Sequence, residues 1–230
     1  KEQNMQHGMI QLIFTVGEES GLVGAKALDP AMIKAKYGFA LDSDGPVGDI
    51  IVAAPTQAKI QAVVKGKTAH AGVAPEKGVS AITIAAKAIA NMPLGRIDEE
   101  TTANIGRFEG GSQTNIVCDH VEIQAEARSL NLEKMNAQVK EMERAFETAA
   151  QKLGGSVQFN SEVIYPGFAF TSDDPIVEIA ETSVRSIGRT PRLLRSGGGS
   201  DANIIAGFGI PTLNLAVGYE DIHTTNEKMT

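Results

Sequence analysis

The chain has 230 residues, of which 42% are hydrophobic, 21% charged and 5% aromatic, and its formal net charge is −7. This is a globular composition, which excludes a disordered, collagen-like or disulfide-scaffold protein. The absence of any basic run argues against nucleic acid as a partner, and no stretch reaches the roughly 20 apolar residues of a membrane-spanning helix. A single cysteine, Cys118, allows no internal disulfide and fits a reducing, cytoplasmic setting. The opening KEQNMQHGM lacks the basic-then-apolar layout of a signal peptide.

Residues 10–16 (IQLIFTV) are apolar and β-branched between Gly8 and Gly17, and predict a buried strand. Residues 21–36 suggest a short helix with Asp29-Pro30 as its cap and first turn, and 37–41 (YGFAL) a second strand ending at Asp42-Ser43-Asp44-Gly45. Residues 59–64 read as a strand, followed by the long loop KGKTAHAGVAPEKG. Ser80 then caps a helix to residue 91 with Ile82, Ala85, Ala86 and Ile89 on one stripe. Residues 101–108 and 116–128 predict strands, the second with Val117, Val121, Ile123, Ala125 and Ala127 on one face and polar residues on the other. Asn131 caps a helix whose stripe is Leu132, Met135, Val139, Met142 and Phe146, stopped by Gly154-Gly155, and 157–165 alternates as a strand.

The order strand, helix, strand, strand, helix, strand is the split βαββαβ pattern. After Pro166 come a helix capped by Asp174 with Pro175 in its first turn, a strand over 191–195, a short helix over 200–206 and a buried strand over 212–217. The expected organisation is therefore α/β: residues 1–56 and 166–230 form one discontinuous domain on a shared sheet, and 57–165 is an inserted ferredoxin-like domain.

Candidate chemistry gathers at strand ends, where α/β sheets carry their sites. Glu18-Glu19 follows the first apolar run; adjacent side chains diverge, so one acid can ligate a metal while the other moves a proton, or both can be a solvated acidic turn. Asp42 and His223 follow two other strands, and carboxylate plus imidazole is the ligand set of a hydrolytic zinc site. Residues 196–203 (SGGGSDAN) allow close backbone approach before a helix, while Ser200 in GGSDA nearly matches a serine-nucleophile elbow. His70, in the long loop, could donate to a carbonyl oxygen, and the Arg128 guanidinium suits a substrate carboxylate.

Taken in order, FTVGEESG, ALDSDG, KGKTAHAG, TNIV…EARSLN, GGGSDAN and HTTNE resemble the di-zinc exopeptidases that include peptidase T, glutamate carboxypeptidase, succinyl-diaminopimelate desuccinylase and aminoacylase, most of all the bacterial peptidase T-like branch. The resemblance implies a catalytic α/β domain interrupted by a lid or dimerisation domain. It makes Glu18 the general base, Glu19 and His223 ligands of one zinc, and Asp42 a ligand of the other, with Asp44 as the competing choice. It makes His70 the lid histidine that reaches a substrate carbonyl across a homodimer. Asn115, Arg128 and Gly198 match positions that hold the substrate backbone or carboxylate.

The family's His-x-Asp motif and bridging aspartate lie upstream of the glutamate pair and have no counterpart in this sequence. The expected protein is thus a metal-dependent exopeptidase acting on short peptides, of aminopeptidase type, with two zinc ions (or cobalt or manganese) when complete. The 230 residues alone are expected to be a metal-poor, inactive fragment. Three alternatives are an amide deacylase or carboxypeptidase, a non-catalytic dimerisation and substrate-binding piece, and a serine hydrolase using Ser200.

Overall fold

The computed structural model describes residues 7–221 and 224–229. The chain divides into two compact units, Lys1–Pro55 with Tyr165–Thr230, and Thr56–Ile164. The first segment of the outer unit carries a one-turn helix α1 (Val23–Lys26), strand β1 (Gly38–Ser43) and strand β2 (Asp49–Ala54). Between α1 and β1, Asp29 caps a single 3-10 turn, Pro30–Met32, by accepting the Ala31 N–H at 2.9 Å.

The inserted unit runs β3 (Thr56–Lys65), α2 (Ala81–Ala90), β4 (Gly95–Arg96), β5 (Thr101–Gly110), β6 (His120–Ser129), α3 (Leu132–Leu153) and β7 (Ser156–Tyr165). Its sheet order is β4-β5-β6-β3-β7, and β3 pairs antiparallel with β6 in unbroken register from Thr56↔Ser129 to Lys65↔His120. Alternation along β6 buries Val121, Ile123, Ala125 and Ala127 in one core with Ile84 of α2 and Met135, Met142 and Phe146 of α3. Asn131 caps α3 by accepting the Glu133 and Lys134 N–H groups, and Gly154 ends it at φ 78°.

Three expectations need correction here. The inward face of α2 is Ala81, Ile84, Ala85 and Ala88, one residue away from the expected stripe, and Ile82 is exposed. The sequence AITIAAKAIA offers two apolar stripes, and packing against the sheet chooses between them. Strand β6 starts at His120 rather than at 116, because residues 116 and 117 bond to the His70 loop instead. Leu132, at the start of α3, is exposed.

The second outer segment supplies β8 (Phe168–Ala169), α4 (Pro175–Ser186), β9 (Arg192–Arg195), α5 (Asp201–Gly207) and β10 (Thr212–Ala216), then a small hairpin of β11 (Tyr219–Glu220) and β12 (Lys228–Met229). Both segments build one sheet of order β1-β10-β2-β8, with β9 also paired to β2. Strand β2 was not apparent from periodicity. It is buried along its whole length, so it shows a continuous apolar run rather than alternation. Ile50 and Val52 pack with Ile176, Val177 and Ala180 of α4, while Ile51 and Ala54 pack with Ala202 of α5. Buried Asp49, at the start of β2, accepts two 2.6 Å bonds from Arg192, and that hydrogen bonding, then the carboxylate charge, raises the guanidinium pKa.

The buried strand expected over 10–16 does not form. Ile10, Leu12, Phe14 and Val16 are exposed, Phe14 to 90%. A strand needs a neighbour for its backbone groups, and among the described residues β1 is paired to β10 alone. The segment is tied down by other bonds: Gln11 to the Met32 carbonyl and the Lys34 N–H, and Gly24 N–H to the Val16 carbonyl. The capping role expected of Asp174 also fails. Its carboxylate turns back to the Thr171 N–H and hydroxyl, although Pro175 does occupy the first turn of α4. Among the described residues no helix is long and apolar enough to cross a membrane.

Candidate functional site

Because β1 and β10 run parallel, their C-terminal ends open on the same edge of the outer sheet. A cavity of about 240 Å³ lies in this unit, and Glu18, Glu19, Asp42, Gly198, Tyr219 and Glu227 are among its lining. Glu18 and Glu19 sit on a turn entered through Gly17, whose φ of +67° suits glycine, and closed by Gly21 and Leu22 N–H bonds to the Glu18 carbonyl. Glu18 is half-buried and Glu19 exposed, so the two acids occupy different surroundings.

Asp42 leaves β1 at an irregularity. The register passes from Ala40↔Asn214 to Ser43↔Ala216, with one extra residue on β1. Asp44 lines the same cavity, so both acids of that turn reach it. Gly198 donates its N–H to Ser196 Oγ at 3.0 Å. At neighbouring Gly199 an added Cβ would run into the Tyr165 ring, so the loop's approach to the sheet requires glycine there.

Ser200 does not form a nucleophile elbow. Its backbone is extended (φ −144°, ψ −177°), and it is the N-cap of α5, its hydroxyl oxygen accepting from Ala202 N–H and from Asn214 Nδ2. The hydroxyl that the serine reading needs is therefore part of the helix cap.

The described lining includes Glu18, Glu19, Asp42, Asp44 and Glu227 and no Lys, Arg or His, so the cavity favours a cation or an ammonium group. Tyr219, on one wall, stays a neutral phenol that feels this negative charge. Burial, then the charges of Asp42 and Glu227, lift its phenol pKa above the usual value. Sequence reading missed Tyr219 and Glu227, which bear no spacing signal, and Asn214, whose signal is an amide inside the apolar run TLNLA.

His70, Asn115 and Arg128 belong to the Thr56–Ile164 unit. His70 is exposed, and its Nδ1 accepts the Gly72 N–H at 3.2 Å, which leaves Nε2 as the ring's donor. The loop is laced to the Asn115 segment by Ala71 N–H to the Asn115 carbonyl (2.9 Å) and Val117 N–H to the Ala69 carbonyl (2.9 Å). Arg128, on β6, donates to both carboxylate oxygens of Glu126 at 2.9 and 3.1 Å. The expected ligand His223 lies outside the described residues.

The carboxylate oxygens of the cavity suit a divalent cation chemically. Among the described residues, however, no group of three or more His, Cys, Asp or Glu side chains is placed to hold a metal ion. Those residues do not complete a metal site by themselves.

Residues 55–153 match the peptidase dimerisation domain of M20 peptidases. The fold matches that of M20 exopeptidases, and 95% of the chain aligns at 26% identity with a protein named Peptidase T from Geobacillus thermodenitrificans, of which it covers 53%. It is 69% identical over 229 residues to the uncharacterized protein YqjE of Bacillus subtilis, covering 100% of this chain and 62% of that protein. A crystal structure of aminopeptidase PepT from Bacillus cereus superposes with a TM-score of 0.96 at 71% identity, covering 99% of this chain and 61% of that one. A tripeptidase from Staphylococcus aureus gives a TM-score of 0.95 at 54% identity, with 99% and 61% covered. The chain thus spans under two thirds of the length of these relatives.

Proposed function

We propose that this chain is part of a metal-dependent exopeptidase that hydrolyses short peptides as a peptidase T-like aminopeptidase. The observation that carries the reading is the acidic cavity bringing Glu18, Glu19, Asp42 and Gly198 together in a chain so similar to an aminopeptidase PepT. Glu18, the less exposed of the pair, takes a proton from the attacking water and passes it to the leaving amine. The acidic lining attracts the ammonium end of a peptide, and His70, reaching across a homodimer, donates its Nε2–H to the scissile carbonyl oxygen. Asn115, Arg128 and Gly198 hold the peptide backbone or carboxylate.

Glu19, Asp42 and His223 would hold zinc, cobalt or manganese, which polarises carbonyls and acidifies water when bound. Glu19 and His223 would serve one ion and Asp42 the other, each short of the three protein ligands that catalytic zinc usually has, so residues 1–230 alone are expected to be metal-poor and inactive. The whole protein works as a cytoplasmic homodimer assembled through the Thr56–Ile164 unit, in keeping with its match to a dimerisation domain.

The test is a pair of variants in the full-length protein. Glu18→Ala should lower kcat by about 10²–10⁴-fold with metal content retained, whereas Glu19→Ala should lose metal. Loss of metal on Glu18→Ala, with metal and activity kept on Glu19→Ala, would reverse the roles.

A further inference from the structure

One side chain, Asn214, holds the Asp42 backbone at two points and bonds the N-cap of α5 at a third. Opposite the extra residue in β1, Asn214 Oδ1 accepts the Asp42 N–H at 3.0 Å and Nδ2 donates to the Asp42 carbonyl at 2.9 Å. The same Nδ2 donates to Ser200 Oγ at 3.2 Å. The amide orientation follows from chemistry, since the Asp42 N–H can only donate and must face the oxygen. Asn214 is itself 7% exposed and Ser200 7% exposed, so these bonds form away from water.

A bulge disrupts the ladder locally, and at this one the Asn214 side chain bonds both the N–H and the C=O of Asp42. The far end of the clamp is also fixed. Ser200 caps α5 in a capping box with Asn203, whose side chain accepts the Ser200 N–H and donates to the Pro55 and Pro166 carbonyls at 3.3 and 2.8 Å. Asn203 is fully buried. One more residue of α5 reaches the other acidic turn: Asp201 Oδ2 accepts the Thr15 hydroxyl at 2.5 Å, three residues before Glu18.

We propose that Asn214 is a positioning residue: it clamps both backbone groups of Asp42 at the bulge, and so fixes the direction in which Asp42 presents its carboxylate to the cavity, with the first turn of α5 as the anchor. An asparagine that only filled a buried polar position would need one partner for each group. This one spends its amide nitrogen on Asp42 and the α5 cap and its oxygen on Asp42. The functional part of the proposal rests on the peptidase reading of the cavity; the clamp itself does not.

The experiment uses the full-length protein and Asn214→Leu, which keeps the side chain's size and removes all three bonds. Hydrogen exchange at the Asp42 amide should speed up by about tenfold, the loss of one net hydrogen bond. Turnover of a short peptide should fall in kcat by about 10–100-fold, as when the support of a site carboxylate is removed, with KM little changed. Gln138→Ala, which removes a buried amide from the inserted unit (Nε2 donates to the Pro93 carbonyl), should lower Tm and leave kcat alone.

Ser200→Ala, which removes only the anchor, decides the matter if the leucine variant does not fold. It should accelerate exchange at Asp42 and lower kcat by less than the full loss. Unchanged exchange at the Asp42 amide, or undiminished kcat in folded Asn214→Leu protein, overturns the proposal. A wild-type protein that cleaves no short peptide overturns the peptidase reading instead, and the exchange rates still decide the clamp.

Discussion

The inserted unit buries its apolar residues in one continuous layer between a sheet face and two helices, whereas the outer unit splits a smaller core over the two faces of its sheet. In the first, Val121, Ile123, Met142 and Phe146 belong to a single cluster. In the second, Ile50 and Ile51 are neighbours in sequence but face separate clusters. The outer unit also leaves Met9, Leu12, Phe14 and Val16 exposed and concentrates carboxylates in a cavity. Stability and chemistry are thus distributed unequally. The unit with the better core has the unbroken β3–β6 ladder beside a slip between Ile105 and Arg107 of β5, and the unit with the acidic cavity has the capped short helix and the side-chain clamp at its own bulge.

Separability is the sharpest way to break this comparison. Residues 56–164 expressed alone should fold to a cooperatively melting protein with dispersed amide resonances, because their core is complete within those limits. The two outer segments, joined by a short linker, should instead give a poorly cooperative, aggregation-prone product through their exposed apolar run. A molten 56–164 product would remove the distinction.

Within the inserted unit the next largest effect is expected at Phe146, fully buried against Phe159 at 6.2 Å between ring centroids. Phe146→Ala should cost about 3–5 kcal/mol by leaving a cavity the layer cannot fill. Denaturant melts followed by resonances in each unit should show that loss in Thr56–Ile164 first. An equal loss in both units would mean that they unfold as one.

The same contrast explains what could be read from the sequence. Strand β6 was legible because one face is buried and the other wet, so polarity alternates with period two. Strand β2 was not, because DIIVAA is buried on both faces and carries no period. Residues 10–16 have the composition of a buried strand, but pairing partners are a tertiary property that composition does not contain. Of the site, Asp42 could be found from a strand end and Gly198 from loop composition; Glu18 and Glu19 are picked out through an expected strand that does not form, yet all four line one cavity. Asn214 could not be found this way, since its importance comes from a one-residue slip between β1 and β10 that no local pattern records.

A smaller effect tests whether helix ends in the inserted unit are as well determined as its core. Asn131 accepts from two backbone donors, Glu133 and Lys134, so Asn131→Ala should destabilise α3 by about 1 kcal/mol. Asn131→Asp, which keeps the acceptor and adds charge at a helix N-terminus, should restore it. Failure of the aspartate to restore stability would show that the cap works through something other than its oxygen.

The smallest effect concerns charge at that same helix end. Asp98 accepts the Glu100 N–H at 2.8 Å, and Lys134 of α3 meets both Asp98 (3.2 Å) and Glu100 (2.9 Å). The Asp98 pKa is lowered, chiefly by the Glu100 backbone bond, with Lys134 a lesser cause. The Lys134 pKa is raised, first by Glu100 and then by Asp98. For Asp98 the folded value lies below the unfolded one, so its contribution is present above the ordinary 3.8 and is lost as pH falls through the folded value. For Lys134 the sign is opposite: its contribution is complete below 10.5 and disappears as pH rises through the folded value. The staple therefore weakens at both extremes and holds across neutral pH. All three groups are partly solvated, so high salt should erode the ion-pair share while sparing the backbone bond. Following the Asp98 carboxyl carbon by NMR titration separates the two shares: in Lys134→Met its midpoint should rise yet stay below 3.8. A complete return to the ordinary value would make the lysine, and not the Glu100 N–H, the principal partner of Asp98.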